Sequence, residues 1–143
     1  MRLRWIFSLT LIVGCSSTVG PDENIELAAM PDLDVPFELE IGERAFVEET
    51  GIYLRFVDVA DDSRCPSNAL ILCVWEGDGA VVVEVEYSQG FTKTDTLHTT
   101  LDPKVLDLGA VILELEGLDP YPETVTPIPL DEYVATFVVR GTD

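Results

Sequence analysis

Between Asp58 and Gly79 the chain gathers residue types that do chemistry. Asp61-Asp62-Ser63-Arg64-Cys65-Pro66 is followed by Cys73-Val74-Trp75-Glu76-Gly77, with seven residues between the two cysteines. Two cysteines so spaced serve as a disulfide, as thiolate metal ligands or as a redox pair. Zinc takes about four ligands, and beside these thiols the chain offers one histidine, His98. A redox pair is ordinarily a tight C-x-x-C, so the spacing leans toward a staple. Asp58, Asp61, Asp62, Glu76 and Asp78 are hard oxygen donors of the kind calcium takes, but the EF-hand spacing is absent. Asp62 also has a local use: an aspartate before a turn satisfies backbone N–H groups and can pair with Arg64 two residues on. No metal and no cofactor is expected.

Elsewhere the catalytic signals are weak. His98 lies in Thr92-Lys93-Thr94-Asp95-Thr96-Leu97-His98-Thr99 and, with a period of two, shares a face with Thr92, Thr94 and Thr96. This reads as a surface histidine on the polar side of a strand. No G-x-S-x-G nucleophile elbow, phosphate loop or dinucleotide fingerprint occurs. Paired carboxylates serve glycoside hydrolysis, but with 27 acidic residues some pair always lies nearby.

The compartment decides what the cysteines mean. Met1-Arg2-Leu3-Arg4 is basic, and Trp5 to Val13 is apolar apart from Ser8 and Thr10. Such a run is about half the roughly 20 residues needed to span a bilayer as a helix, and reads as a short signal peptide. Ile12-Val13-Gly14-Cys15 resembles the lipobox of bacterial lipoproteins. That resemblance implies a diacylglyceryl thioether on Cys15, cleavage after Gly14 and acylation of the new N-terminus. It also implies a bacterial cell-envelope location. Ser16, rather than aspartate, after the cysteine resembles the sorting pattern for the outer membrane in a diderm cell. With Cys15 lipidated, Cys65 and Cys73 are left as an even pair in an oxidising compartment, where a disulfide is the default.

Cleavage leaves six basic residues against 27 acidic ones, a formal balance of −21. Phosphates would repel such a chain, which argues against nucleic acid and against direct binding of anionic head groups. The expected partners are the membrane, through the lipid, and a protein or a glycan.

Three segments follow: residues 1–14 as signal peptide, 15–36 as the lipidated N-terminus with an acidic tether, and 37–143 as one domain. Pro21, Pro31 and Pro36 among five acids give the tether its extended, aperiodic character. It would hold the domain off the bilayer. Within the domain a period of two recurs. Ile52, Leu54 and Phe56 share one face, as do Val81, Val83, Val85 and Tyr87, then Val111, Leu113 and Leu115, then Tyr133, Ala135, Phe137 and Val139. Phe37, Leu39 and Ile41 extend the pattern at the front. Turn residues fall between these runs at Glu49-Thr50-Gly51, Glu76-Gly77-Asp78-Gly79, Ser88-Gln89-Gly90 and Leu101-Asp102-Pro103. The pattern predicts an all-β domain of seven or eight strands, either an antiparallel, immunoglobulin-like β-sandwich or a small open barrel.

Asp62-Ser63-Arg64-Cys65-Pro66, then Cys73-x-Trp75-x-Gly77, and later Gly117-Leu118-Asp119-Pro120-Tyr121-Pro122, resemble a group of small uncharacterised exported bacterial domains. This chain differs from them in a longer insert between its cysteines, Pro66 to Leu72. The resemblance supports the fold and the staple and implies no activity. The expected function is a lipid-anchored, non-enzymatic binding or structural-interaction domain. Its candidate binding loop carries Asp62, Arg64, Trp75 and Tyr121. An inhibitor or carbohydrate-binding accessory is the alternative, ahead of a hydrolase.

Overall fold

The computed structural model describes residues 27–68 and 70–142. Residues 1–14, read from the sequence as a signal peptide, and Cys15 lie outside them.

Among the described residues nine strands form two sheets. They are β1 (Leu27–Ala29), β2 (Phe37–Glu40), β3 (Arg44–Val47), β4 (Ile52–Asp62), β5 (Gly79–Glu86), β6 (Thr92–His98), β7 (Val105–Asp107), β8 (Val111–Asp119) and β9 (Val134–Gly141). One sheet has the order β1-β3-β4-β5-β6 and the other β2-β9-β8-β7. The two sheets do not close into a barrel, and the architecture is a β-sandwich. Every pairing is antiparallel except β1 with β3, which is parallel.

The alternation in the sequence dictates the core. Leu54, Phe56, Val81, Val83 and Val85 of the first sheet face Leu39, Leu113, Leu115, Ala135 and Phe137 of the second, all buried. Phe56 and Phe137 meet edge to face across the sandwich with ring centroids 6.3 Å apart, a geometry that adds roughly 0.5–1.5 kcal/mol to their burial. Outward positions carry the acids and the threonines. The one helical turn among the described residues is a 3-10 turn at Leu130–Glu132.

The sheet starts earlier than the sequence pattern predicts. Leu27–Ala29, inside the stretch read as tether, pairs with β3, and Ala29 and Leu33 pack against the core. Asp34 donates its backbone N–H to Val139 O at 2.8 Å, which fixes the approach to β2.

Candidate functional site

At one end of the sandwich the β4–β5 hairpin runs past its last ladder pair, Asp62 with Gly79. Ser63 N–H donates to Asp78 O at 2.7 Å and Cys65 N–H to Glu76 O at 2.8 Å. Cys65 and Cys73 form the disulfide across this neck, with a Cα–Cα distance of 6.0 Å. Gly77 makes the close approach possible. Its φ is +78°, and a Cβ there would sit 2.0 Å from Ser63 O.

Arg64 anchors the neck to the opposite sheet. Buried at 6 % exposure, it grips Asp62 in a fork, Nε to Oδ1 at 2.8 Å and Nη2 to Oδ2 at 2.7 Å. It also donates to Leu118 O and, at 3.0 Å, to Pro120 O. Its guanidinium lies 5.2 Å from the Tyr121 ring centroid, and Tyr133 donates its hydroxyl to Asp62 Oδ2 at 2.8 Å. Four of the five guanidinium N–H groups are thus bonded, two of them as a fork on one carboxylate, which offsets the cost of burying the charge. Burial opposes ionisation of Asp62, but the bonds from Arg64 and Tyr133 outweigh it and hold the carboxyl below the ordinary carboxylate range. The same burial, with the adjacent carboxylate, pushes the Tyr133 hydroxyl up to about 12.

The clamp therefore uses up two of the candidate binding residues. Asp62 and Arg64 join the sheets, and Tyr121 gives one ring face to Arg64. Trp75 stays half-exposed at 49 %. Beyond the neck the loop is open and apolar. Leu70 is 91 % exposed, Leu72 is 96 % exposed and Val74 is fully exposed. Ser67 N–H donates to Pro122 O at 2.9 Å and Leu70 N–H to Asn68 Oδ1 at 3.0 Å, so the loop is tied both to itself and to the β8–β9 connection. A cavity of about 430 Å³ opens beside it between Val59–Arg64 and Pro122–Tyr133, with Arg64 in its wall. Arg64 also borders a second, of about 310 Å³, with Glu76, Leu118 and Tyr121.

The acids around the neck do not converge. Asp62 faces Arg64 and Tyr133, whereas Asp78 turns to the β6–β7 connection, accepting from Thr100 N–H at 2.9 Å and Leu101 N–H at 3.2 Å. No group of three His, Cys, Asp or Glu side chains stands in metal-binding range among the described residues.

His98 corrects the reading of a plain surface histidine. Its Nδ1 lies 2.6 Å from Asp78 Oδ2, and the side chain is 23 % exposed. An ionised carboxylate accepts the Nδ1 proton and fixes that tautomer. Burial works against the Asp78 carboxylate, but His98 and the two backbone donors lower its pKa. The pair resembles half of a catalytic triad, yet the hydroxyl of Ser63 bonds the Asp78 backbone and neither cavity is lined by His98. Its evident work is to tie β6 to the loop before β5.

Leu70, Leu72 and Val74 escaped the sequence reading. Their signal was present: Pro66 to Trp75 is ten consecutive residues without a charge, in a chain 24 % of whose residues are charged. Comparison of the chain with protein-family models, curated protein sequences and solved structures gave no match.

Proposed function

We propose that this chain is an envelope lipoprotein, anchored through acyl groups on Cys15, whose β-sandwich is a non-enzymatic binding module that uses the Cys65–Cys73 loop. The observation that carries the reading is a pairing of rigidity with exposure. Leu70, Leu72, Val74 and Trp75 are presented to solvent by a loop that a disulfide, two backbone bonds and a buried Arg64 hold in place. Exposed apolar groups on a mobile loop lose ordering entropy when they bind; a braced loop has lost it on folding. Four exposed apolar side chains within six residues, on so acidic a surface, mark an interaction site. Stacking of a sugar ring on Trp75 is the second reading, favoured by the open indole at the same end as Tyr121.

A photo-crosslinking residue at Leu70 in the processed chain tests the module. A discrete adduct at residue 70, absent when the probe is placed at exposed Glu38 on the other sheet, is expected. Equal, diffuse labelling at both positions would remove the binding reading. The anchor is tested apart from it: radiolabelled fatty acid should enter the wild-type chain and not Cys15→Ala, and equal label in both would remove the lipoprotein reading.

A further inference from the structure

We infer that the Cys65–Cys73 loop seats on the bilayer that holds the anchor, placing Leu70, Leu72, Val74 and Trp75 among the lipid head groups of a zwitterionic surface. The inference rests on the anchored reading above and names the partner of the same loop.

Strand register gives the direction. β3 pairs antiparallel with β4, Arg44 opposite Arg55, and β4 then continues to Asp62, where the loop begins. β1 runs parallel to β3, with Leu27 level with Arg44. The first residue of β1 is therefore its end nearest the loop. Chain arriving from Cys15 enters the domain facing the same end from which the apolar loop projects. Asp62 lies about 20 Å beyond the level of Leu27, at roughly 3.3 Å per strand residue. Residues 15–26 can span up to about 40 Å when extended, which covers that distance and the depth of the loop. Had β1 run the other way, the domain would have had to invert over its anchor for the loop to reach lipid.

Chemistry selects the surface. Leu70, Leu72 and Val74 carry no polar atom beyond the backbone, and Trp75 has the amphipathic ring that favours the membrane–water interface. Asp61, Glu76, Asp119 and Glu123 are exposed at or beyond the strand ends on the same side of the sandwich. They would be repelled by anionic lipid and tolerated by zwitterionic head groups. Tethering raises the effective concentration of the loop at the bilayer, so four side chains suffice where a free domain would need more.

After cleavage Trp75 is the only tryptophan in the chain, since Trp5 belongs to the signal peptide. The processed, acylated protein is reconstituted into phosphatidylcholine vesicles with brominated acyl chains, and the Trp75 emission is read. We expect a blue shift and quenching by the bromines, both lost in Leu70→Asp/Leu72→Asp and weakened when phosphatidylglycerol is mixed in at low salt. Emission that stays water-like and open to iodide in an acylated chain overturns the inference and leaves the anchor standing. Trp75 unquenched by bromine also overturns it, whether or not iodide reaches the indole, because lipid is then not what covers the loop. A processed chain without acyl groups on Cys15 overturns both readings together.

Discussion

At the scale of single residues, the clamp explains why Asp62, Arg64, Gly77 and Tyr133 have the identities they do. Gly77 and Gly90 separate two causes. Their φ values are alike, +78° and +79°, but a Cβ at Gly90 meets nothing within 4 Å whereas one at Gly77 runs into the Ser63–Arg64 backbone. Gly90→Ala should lose about 1 kcal/mol, the cost of a left-handed conformation. Gly77→Ala should lose at least about 2 kcal/mol more, because backbone cannot move aside. Equal losses in urea unfolding would show that the neck is looser than drawn. Tyr133 supplies a pH signature. Its folded value near 12 lies above the unfolded value of about 10, so its contribution is complete below pH 10 and lost as pH rises toward 12. The absorbance titration at 295 nm of the wild type minus that of Tyr133→Phe should show one ionisation near 12. A difference midpoint at 10 would deny the bond to Asp62. Asp62 has the opposite sign: its lowered value adds stability above the ordinary carboxylate range, lost as pH falls below roughly 4.

At the scale of elements, β4, β5, β8 and β9 were legible because each places three or more side chains on one buried face. Ile52, Leu54 and Phe56 are buried as their alternation requires, and so are Val111, Leu113 and Leu115. β1, β3 and β7 have three or four residues each, which is too few for a period to stand out. The site was legible in part. Spacing and compartment found the staple, but nothing local to Arg64 points to Leu118 O, Pro120 O or Tyr133, because those partners come from the other sheet. His98 was placed on the right strand face; the missing fact was the path of the loop before β5, which brings Asp78 over it. The staple itself closes a short loop and should contribute roughly 2–3 kcal/mol by restricting the unfolded chain. Cys65→Ser with Cys73→Ser should lower the unfolding free energy extrapolated from urea by that amount and leave the β spectrum intact, since the Ser63–Asp78 and Cys65–Glu76 backbone bonds remain. Two titratable thiols in the native protein would contradict the bridge.

At the scale of the whole molecule, charge is the dominant long-range force. Several of the cations are already spent on local pairs, Arg44 with Glu86, Arg64 with Asp62, Lys93 with Asp95 and Arg140 with Glu114 and Glu116. The remaining carboxylates repel one another, and self-repulsion of this kind weakens the folded state in proportion to how little salt screens it. Added sodium chloride should therefore raise the melting temperature. Calcium distinguishes screening from binding. A site saturated at 100 times its dissociation constant would add about 2.7 kcal/mol, worth several degrees in a domain of this size. Asp62 and Asp78 are held by Arg64, Tyr133 and His98, which leaves Asp61 and Glu76 without the converging oxygens that calcium requires. We expect millimolar calcium chloride to shift the melting temperature no further than sodium chloride of equal ionic strength. A saturable shift with calcium, absent with magnesium and abolished by Asp61→Asn with Glu76→Gln, would mean that the loop end gathers a cation and that its acids are not free to repel anionic lipid.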